Sequence, residues 1–222
     1  SAWLGHFGIE SAGELPNSID ADAYAAQASE RDFRAELGIP ADALVVAFAG
    51  RLVPEKGVVE LAKATAAIAE HPDASERAVH LIIAGAGPKQ GDIERIGCGS
   101  VHLVGRLERQ DMAALMSQAD AMALPSRSEG FATTLLEAAA CTTPAIVTPV
   151  GGTDELVSDE RFGTIIPDAR TETVEAALRE AARNSQRLAE QGANVARRVR
   201  AEYSWRRTAE RALAACRKAN EK

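Results

Sequence analysis

Apolar residues fall along this chain in short blocks separated by longer stretches of mixed character. Leu44 to Ala49 (LVVAFA) is an unbroken apolar run, and Val79 to Ala84 (VHLIIA) nearly so. Shorter runs follow at 101–104, 121–124, 145–148 and 164–166. Between them lie helix-like segments at 58–70, 111–119, 131–141 and 171–184. Continuous β-branched runs joined by helical crossovers predict an α/β fold: a doubly wound, Rossmann-like parallel sheet covered on both faces. Such open sheets place ligands at the carboxyl ends of their strands, so the loops after each strand are where chemistry is expected. Residues 1–43 do not fit the alternation. The division that follows is 1–20 as linker or lead-in, 21–184 as the Rossmann-like domain, and 185–222 as Ala- and Arg-rich C-terminal helices interrupted near Ser204.

Composition narrows the picture. The 222 residues suit one large domain or a domain with appended helices, and 46% hydrophobic residues suffice for an ordinary core. A formal net charge of −7 argues against nucleic acid as a main partner. No apolar run reaches the ~18 residues a membrane span requires. The start, Ser1-Ala2-Trp3-Leu4, lacks the pattern of a signal peptide. Cys98, Cys141 and Cys216 are odd in number and widely spaced, which suits a reducing cytosol better than a disulfide framework or a zinc site. His80 and His102 read as ordinary sheet residues rather than ligands. Residues 197–222 carry nine Lys and Arg against three Glu. A solvated basic helix face is the preferred reading there, with docking on another domain or peripheral contact with anionic lipid as alternatives.

The most informative stretch is 130–153, GFATTLLEAAACTTPAIVTPVGGT, where Glu137 is the only charged residue. A lone carboxylate in an apolar helix costs several kcal/mol unless it is paired, hydrogen-bonded or at an edge. Glu129 stands eight residues earlier, at the end of the loop Ser126-Arg127-Ser128-Glu129-Gly130. A helix starting near Phe131 would present its free first-turn amides to an anion. Gly130 would allow a phosphate close approach. Glu137 would then lie about 9 Å along the axis from Phe131, within reach of a ribose hydroxyl pair, with Glu129 on the sugar side of the phosphate. After the first strand, Gly50-Arg51-Leu52-Val53-Pro54-Glu55-Lys56-Gly57 places two cations in a Gly-bounded loop suited to a diphosphate. Gly85-Ala86-Gly87-Pro88 follows the second strand and reads equally as a tight turn or a close ligand approach.

Together these motifs resemble glycosyltransferase family 4, retaining enzymes of the GT-B fold. PSRSEGFATTLLEAAACTTPAIVT is similar to that family's E-x7-E region, and Gly50–Gly57 to its GRL…KG loop. The resemblance implies that Glu129 contacts the transferred sugar and Glu137 the ribose. It implies that Phe131, Ala132 and Thr133 offer amides to the diphosphate, with Arg51 and Lys56 neutralising it. Gly50, Gly85, Gly87, Arg106 and Leu107 match further positions around the nucleotide, and Val104-Gly105-Arg106-Leu107 flanks the base. Pro16-Asn17-Ser18-Ile19-Asp20 resembles a segment near the domain junction. Tyr203-Ser204-Trp205 resembles the aromatic entry to the last helix, with Trp205 read as a core anchor. Departures are Ala132 where Gly is frequent, and Cys141-Thr142-Thr143-Pro144 where Gly commonly precedes the Pro.

What the resemblance implies is the donor half of an enzyme. A UDP-sugar or GDP-sugar would give up its sugar to an acceptor sugar or lipid-linked acceptor, with retention and without a bound metal or other cofactor. An N-terminal domain absent from this chain would supply much of the acceptor site. The expected location is cytoplasmic, with peripheral attachment at the inner membrane face open. A non-catalytic nucleotide-sugar binding module and a GT-B-type sugar-nucleotide epimerase are the competing readings. A receiver-type domain needs acidic residues where Gly50-Arg51 stands, and a dehydrogenase needs a glycine fingerprint that is absent.

Overall fold

The computed structural model describes residues 6–8 and 15–220 of the chain. Six strands form one parallel sheet in the order β3-β2-β1-β4-β5-β6. They are β1 (Leu44–Ala49), β2 (Val79–Ala84), β3 (Val101–Gly105), β4 (Ala121–Leu124), β5 (Ala145–Val147) and β6 (Gly163–Ile165). β1 and β2 pair in continuous register from Leu44 opposite Val79 to Ala49 opposite Ala84. All six residues of β1 are buried, which is why its sequence shows no alternation of apolar and polar positions.

The crossover helices cover both faces. The long helices α3 (Val58–Glu70) and α8 (Thr171–Arg183) pack together on one side. On the other, α5 (Arg109–Gln118) lies beside α6 (Thr133–Ala140), and α9 (Ser185–Glu202) crosses α6. Thus α9 packs on the Rossmann-like body rather than standing apart from it. The final helix, α10 (Trp205–Asn220), projects Trp205 and Leu213 to solvent. Among the described residues, further short α-helices are α1 (Ala21–Ala26), α2 (Phe33–Leu37), α4 (Gln90–Glu94) and α7 (Thr153–Leu156).

Several expectations are corrected. Within 21–43, outside the strand–helix alternation, two short helices form: Asp20 and Asp32 cap α1 and α2 by accepting from Ala23 N and Ala35 N. α6 starts at Thr133, not Phe131, because Phe131 is held in the preceding loop against Tyr203, with ring centroids 6.2 Å apart. Trp205 is not a core anchor; it is 63% exposed. The anchor is Tyr203, which is buried and donates its hydroxyl to the Glu155 carbonyl at 2.9 Å. Of the 1–20 lead-in, residues 1–5 and 9–14 lie outside the described residues, as do 221–222 of the basic tail.

Polar side chains cluster at the amino ends of the central strands. At the amino edge, Asp120 accepts from Arg34 Nη2 at 2.9 Å, Arg77 Nη2 at 3.1 Å and the Val45 amide at 2.8 Å. Beside it, His80 Nδ1 and His102 Nε2 meet at 3.1 Å as neighbours on adjacent strands. The carboxyl edge carries the candidate site.

Candidate active site at the carboxyl edge of the sheet

The strand order reverses between β1 and β4, and the loops leaving these two strands face each other. Gly57 brings them into contact. It sits in the left-handed region at φ 64°, and a Cβ there would lie 2.1 Å from the Pro125 carbonyl oxygen. Only glycine lets the β1 loop approach the end of β4 so closely. Arg127 adds three bonds across the same gap. Its backbone N–H donates to the Glu55 carbonyl at 2.7 Å, Nη1 to the Pro54 carbonyl at 2.7 Å, and Nη2 to Glu60 at 2.8 Å.

This stapling joins two of the candidate residues. Lys56 Nζ donates to Glu129 Oε1 at 2.5 Å and Oε2 at 2.7 Å, and Ser126 Oγ donates to Oε1 at 2.6 Å. The Lys56 and Glu129 side chains are 18% and 6% exposed, so the pair is largely shielded from water. Arg51 lies in the same loop as Lys56. It is exposed, and its side chain makes no hydrogen bond or ion pair among the described residues.

α6 begins just beyond. Its N-cap is Ala132, whose side chain cannot cap, and no side-chain oxygen takes up the first amides. Such an end is a ready anion site. A Cβ on Gly130 would meet nothing within 4 Å, so the backbone ahead of the helix is open to an incoming group. With the start at Thr133, Glu137 is one turn, about 6 Å, down the axis. Thr133, Glu137 and Arg109 line one cavity of about 360 Å³ with Ser18, Asp20 and Trp205. Burial pushes the Glu137 carboxyl above its usual range, while Arg109 and the Tyr24 hydroxyl act in the opposite direction.

Other sequence candidates have different places. Cβ positions on Gly85 and Gly87 would fall 1.9 Å from the Gly50 carbonyl oxygen and 2.5 Å from that of Leu52. Both glycines therefore serve backbone packing between the loops of β1 and β2. Arg106 is exposed beyond β3 and makes no hydrogen bond or ion pair among the described residues, and Leu107 packs partly on the core. Ser126, Arg127 and Gly57 were not singled out from the sequence: Arg127 and Gly57 meet partners in another loop, and the Ser126 hydroxyl matters only because Glu129, three residues on, folds back to it. Gly151 and Gly152 were quoted only as part of the 130–153 stretch. Cβ atoms on them would strike the Glu129 carbonyl oxygen at 2.3 Å and the Phe131 ring at 2.5 Å. They let the β5 loop support the Glu129–Phe131 turn from below. Among the described residues no three His, Cys, Asp or Glu side chains gather as a metal site, and no helix is long and apolar enough to cross a membrane.

Comparison with known proteins shows a family and a fold. Residues 29–198 match the family model described as glycosyl transferases group 1. A D-inositol 3-phosphate glycosyltransferase of Saccharomonospora viridis is 35% identical over 192 residues, 81% of this chain and 44% of the relative. A GDP-mannose-dependent monoacylated alpha-(1-6)-phosphatidylinositol monomannoside mannosyltransferase of Corynebacterium glutamicum is 32% identical over 210 residues, covering 89% of this chain and 54% of the relative. The chain thus spans about half the length of these relatives. Among solved structures, Anabaena HepE in complex with UDP and glucose shares the fold at a TM-score of 0.71. It is 21% identical, and the match covers 93% of this chain and 55% of HepE.

Proposed function

The chain belongs to the group 1 glycosyl transferases, and from this premise we propose that it is the donor-binding half of a retaining, family 4 hexosyltransferase. The observation that carries the reading is the Lys56–Glu129 pair at the strand-order reversal, beside an uncapped helix start and the Glu137 cavity. The donor is a UDP-sugar or GDP-sugar. The Anabaena neighbour was solved with UDP, and the Corynebacterium relative is named for GDP-mannose. The acceptor is a sugar or lipid-linked sugar held by a second, N-terminal domain. The whole protein acts in the cytoplasm, peripherally at the membrane when the acceptor is lipid-linked.

In this reading the diphosphate sits on the Ala132–Thr133 amides, and Glu137 takes the ribose hydroxyls. Glu129 accepts hydrogen bonds from the sugar, and its carboxylate faces the positive charge that grows at the anomeric carbon. The bond from that carbon to the diphosphate oxygen breaks with its electron pair leaving on the phosphate. Lys56, Arg51 and the amides stabilise the charge that develops there, a preorganised electrostatic contribution. The acceptor hydroxyl bonds to the same face of the sugar and gives its proton to the departing phosphate.

Calorimetric titration with UDP, GDP and ADP tests the site. One nucleotide is expected to bind selectively, with Arg51→Ala and Glu137→Ala each weakening it about tenfold, the scale of one charge-assisted hydrogen bond. Binding unaffected by both substitutions would place the nucleotide elsewhere. No binding, either to this chain or to the two-domain protein, would refute the donor-site reading.

A further inference from the structure

Tyr24 on α1 is 1% exposed, yet its hydroxyl is buried with no partner in hydrogen-bond geometry. A buried hydroxyl left unpaired costs about 1–3 kcal/mol, so it calls for an explanation. α1 packs on α6, and the Tyr24 hydroxyl lies beside the Glu137 carboxylate. On the ring, the Arg109 guanidinium stands 5.4 Å from the centroid. Arg109 and Glu137 both line the cavity assigned above to the nucleoside.

We propose that Tyr24 is a positioning residue for Glu137. The Tyr24 hydroxyl stands beside Glu137 and favours its ionised form already in the ligand-free chain, and when a ribose occupies the cavity it closes onto one carboxylate oxygen and fixes the side-chain rotamer. The remaining lone pairs then face the two ribose hydroxyls. The inference rests on the donor-site reading. Its chemistry is that of an acceptor-only group with about four lone-pair sites, one of which is committed to a donor held rigid by core packing. Substituting the ring without its oxygen leaves the packing in place and releases the carboxylate to rotate.

The surroundings define a pH signature. Glu137 faces Tyr24 and Asp20 at α1 and Arg109 on α5. Cys141 closes its own helix, and Arg200 on α9 reaches the Ala140 carbonyl. Burial favours the protonated carboxyl, whereas Tyr24 and Arg109 favour the ionised one. Loss of the Tyr24 hydroxyl therefore raises the pH at which Glu137 ionises.

The test is Tyr24→Phe, alone and in a Glu137→Ala background. Carboxyl-carbon NMR of the ligand-free chain is expected to show the Glu137 titration midpoint moving to higher pH in Tyr24→Phe. Affinity for UDP or GDP is expected to fall about tenfold, with the acid limb of its pH profile moving the same way. In Glu137→Ala, which has no oxygen to accept from Tyr24, the second substitution is expected to change nothing further. An unmoved midpoint overturns the proposal, and so does an equal loss of affinity in the Glu137→Ala background, which would mark a purely structural role. If the two-domain protein binds neither nucleotide, the donor-site reading falls and takes the ribose role with it. The NMR midpoint still decides whether Tyr24 and Glu137 are coupled.

Discussion

Thr142 is the one described non-glycine residue in the left-handed region, at φ 66°. A β-branched side chain there carries a cost of about 1–2 kcal/mol. It stays because α9 crosses directly over it: a Cβ on Gly192 would lie 2.2 Å from the Thr142 carbonyl oxygen. The backbone is held by its neighbour, and the side chain at 142 gains nothing from the arrangement. Thr142→Gly is therefore expected to raise stability by about 1 kcal/mol in urea denaturation. A loss would show that the threonine makes a compensating contact. One of the two places where the sequence departs from the resembled family's glycine, the stretch Cys141 to Pro144, thus contains the residue under strain in the structure.

At the scale of elements, the site depends on two loops behaving as one body. Gly57 against Pro125 and the three Arg127 bonds fix the β1 loop to the β4 loop. Gly57→Ala combines an unfavourable φ with a clash against backbone, so it should lower stability by more than about 1 kcal/mol. It should also weaken nucleotide binding, because Lys56 follows the loop that must shift. Denaturation and calorimetry on the same sample check both, and normal binding despite lost stability would show that the loops act separately.

Legibility of this level in the sequence was uneven for physical reasons. β1 and β2 were found to the residue because fully buried parallel strands are continuous apolar runs. The helices α1, α2, α4 and α7 were missed, since segments of four to six residues are too short for a helical period to emerge. The carboxylates and cations were visible as residue types in the right loops. Their pairing was not: Lys56 and Glu129 are 73 positions apart, and each had been assigned to a different part of the donor. Tyr24 escaped notice because 1–43 lacked the strand–helix rhythm. Trp205 was misjudged because an aromatic residue at a helix start says nothing about which side of the helix is covered.

For the molecule as a whole, Glu137 sets a balance between stability and site chemistry. Its carboxyl binds a proton more tightly in the folded chain than in the unfolded one, because burial disfavours the charge. Folding stability must therefore fall as pH rises from the ordinary glutamate range through the raised folded value, and level off above it. Glu137→Gln removes that fall. It is expected to stabilise the domain by about 1 kcal/mol at pH 7.5, with the gain shrinking toward pH 4.5. Denaturant midpoints at the two pH values are the measurement, and a gain equal at both would mean that the effect is not the carboxylate's charge.

The Lys56–Glu129 contact has a last consequence under the proposed reading. Lys56 and Glu129 already satisfy each other, so under that reading a donor enters by exchange rather than by addition. A bare anion that pulls Lys56 away strands Glu129 in a shielded place, and a neutral sugar that courts Glu129 leaves the ammonium without its counter-charge. Only a ligand carrying phosphate and sugar together compensates both sides. The pair then favours the whole donor over its nucleotide alone, which still binds through the ribose and diphosphate contacts but leaves Glu129 uncompensated.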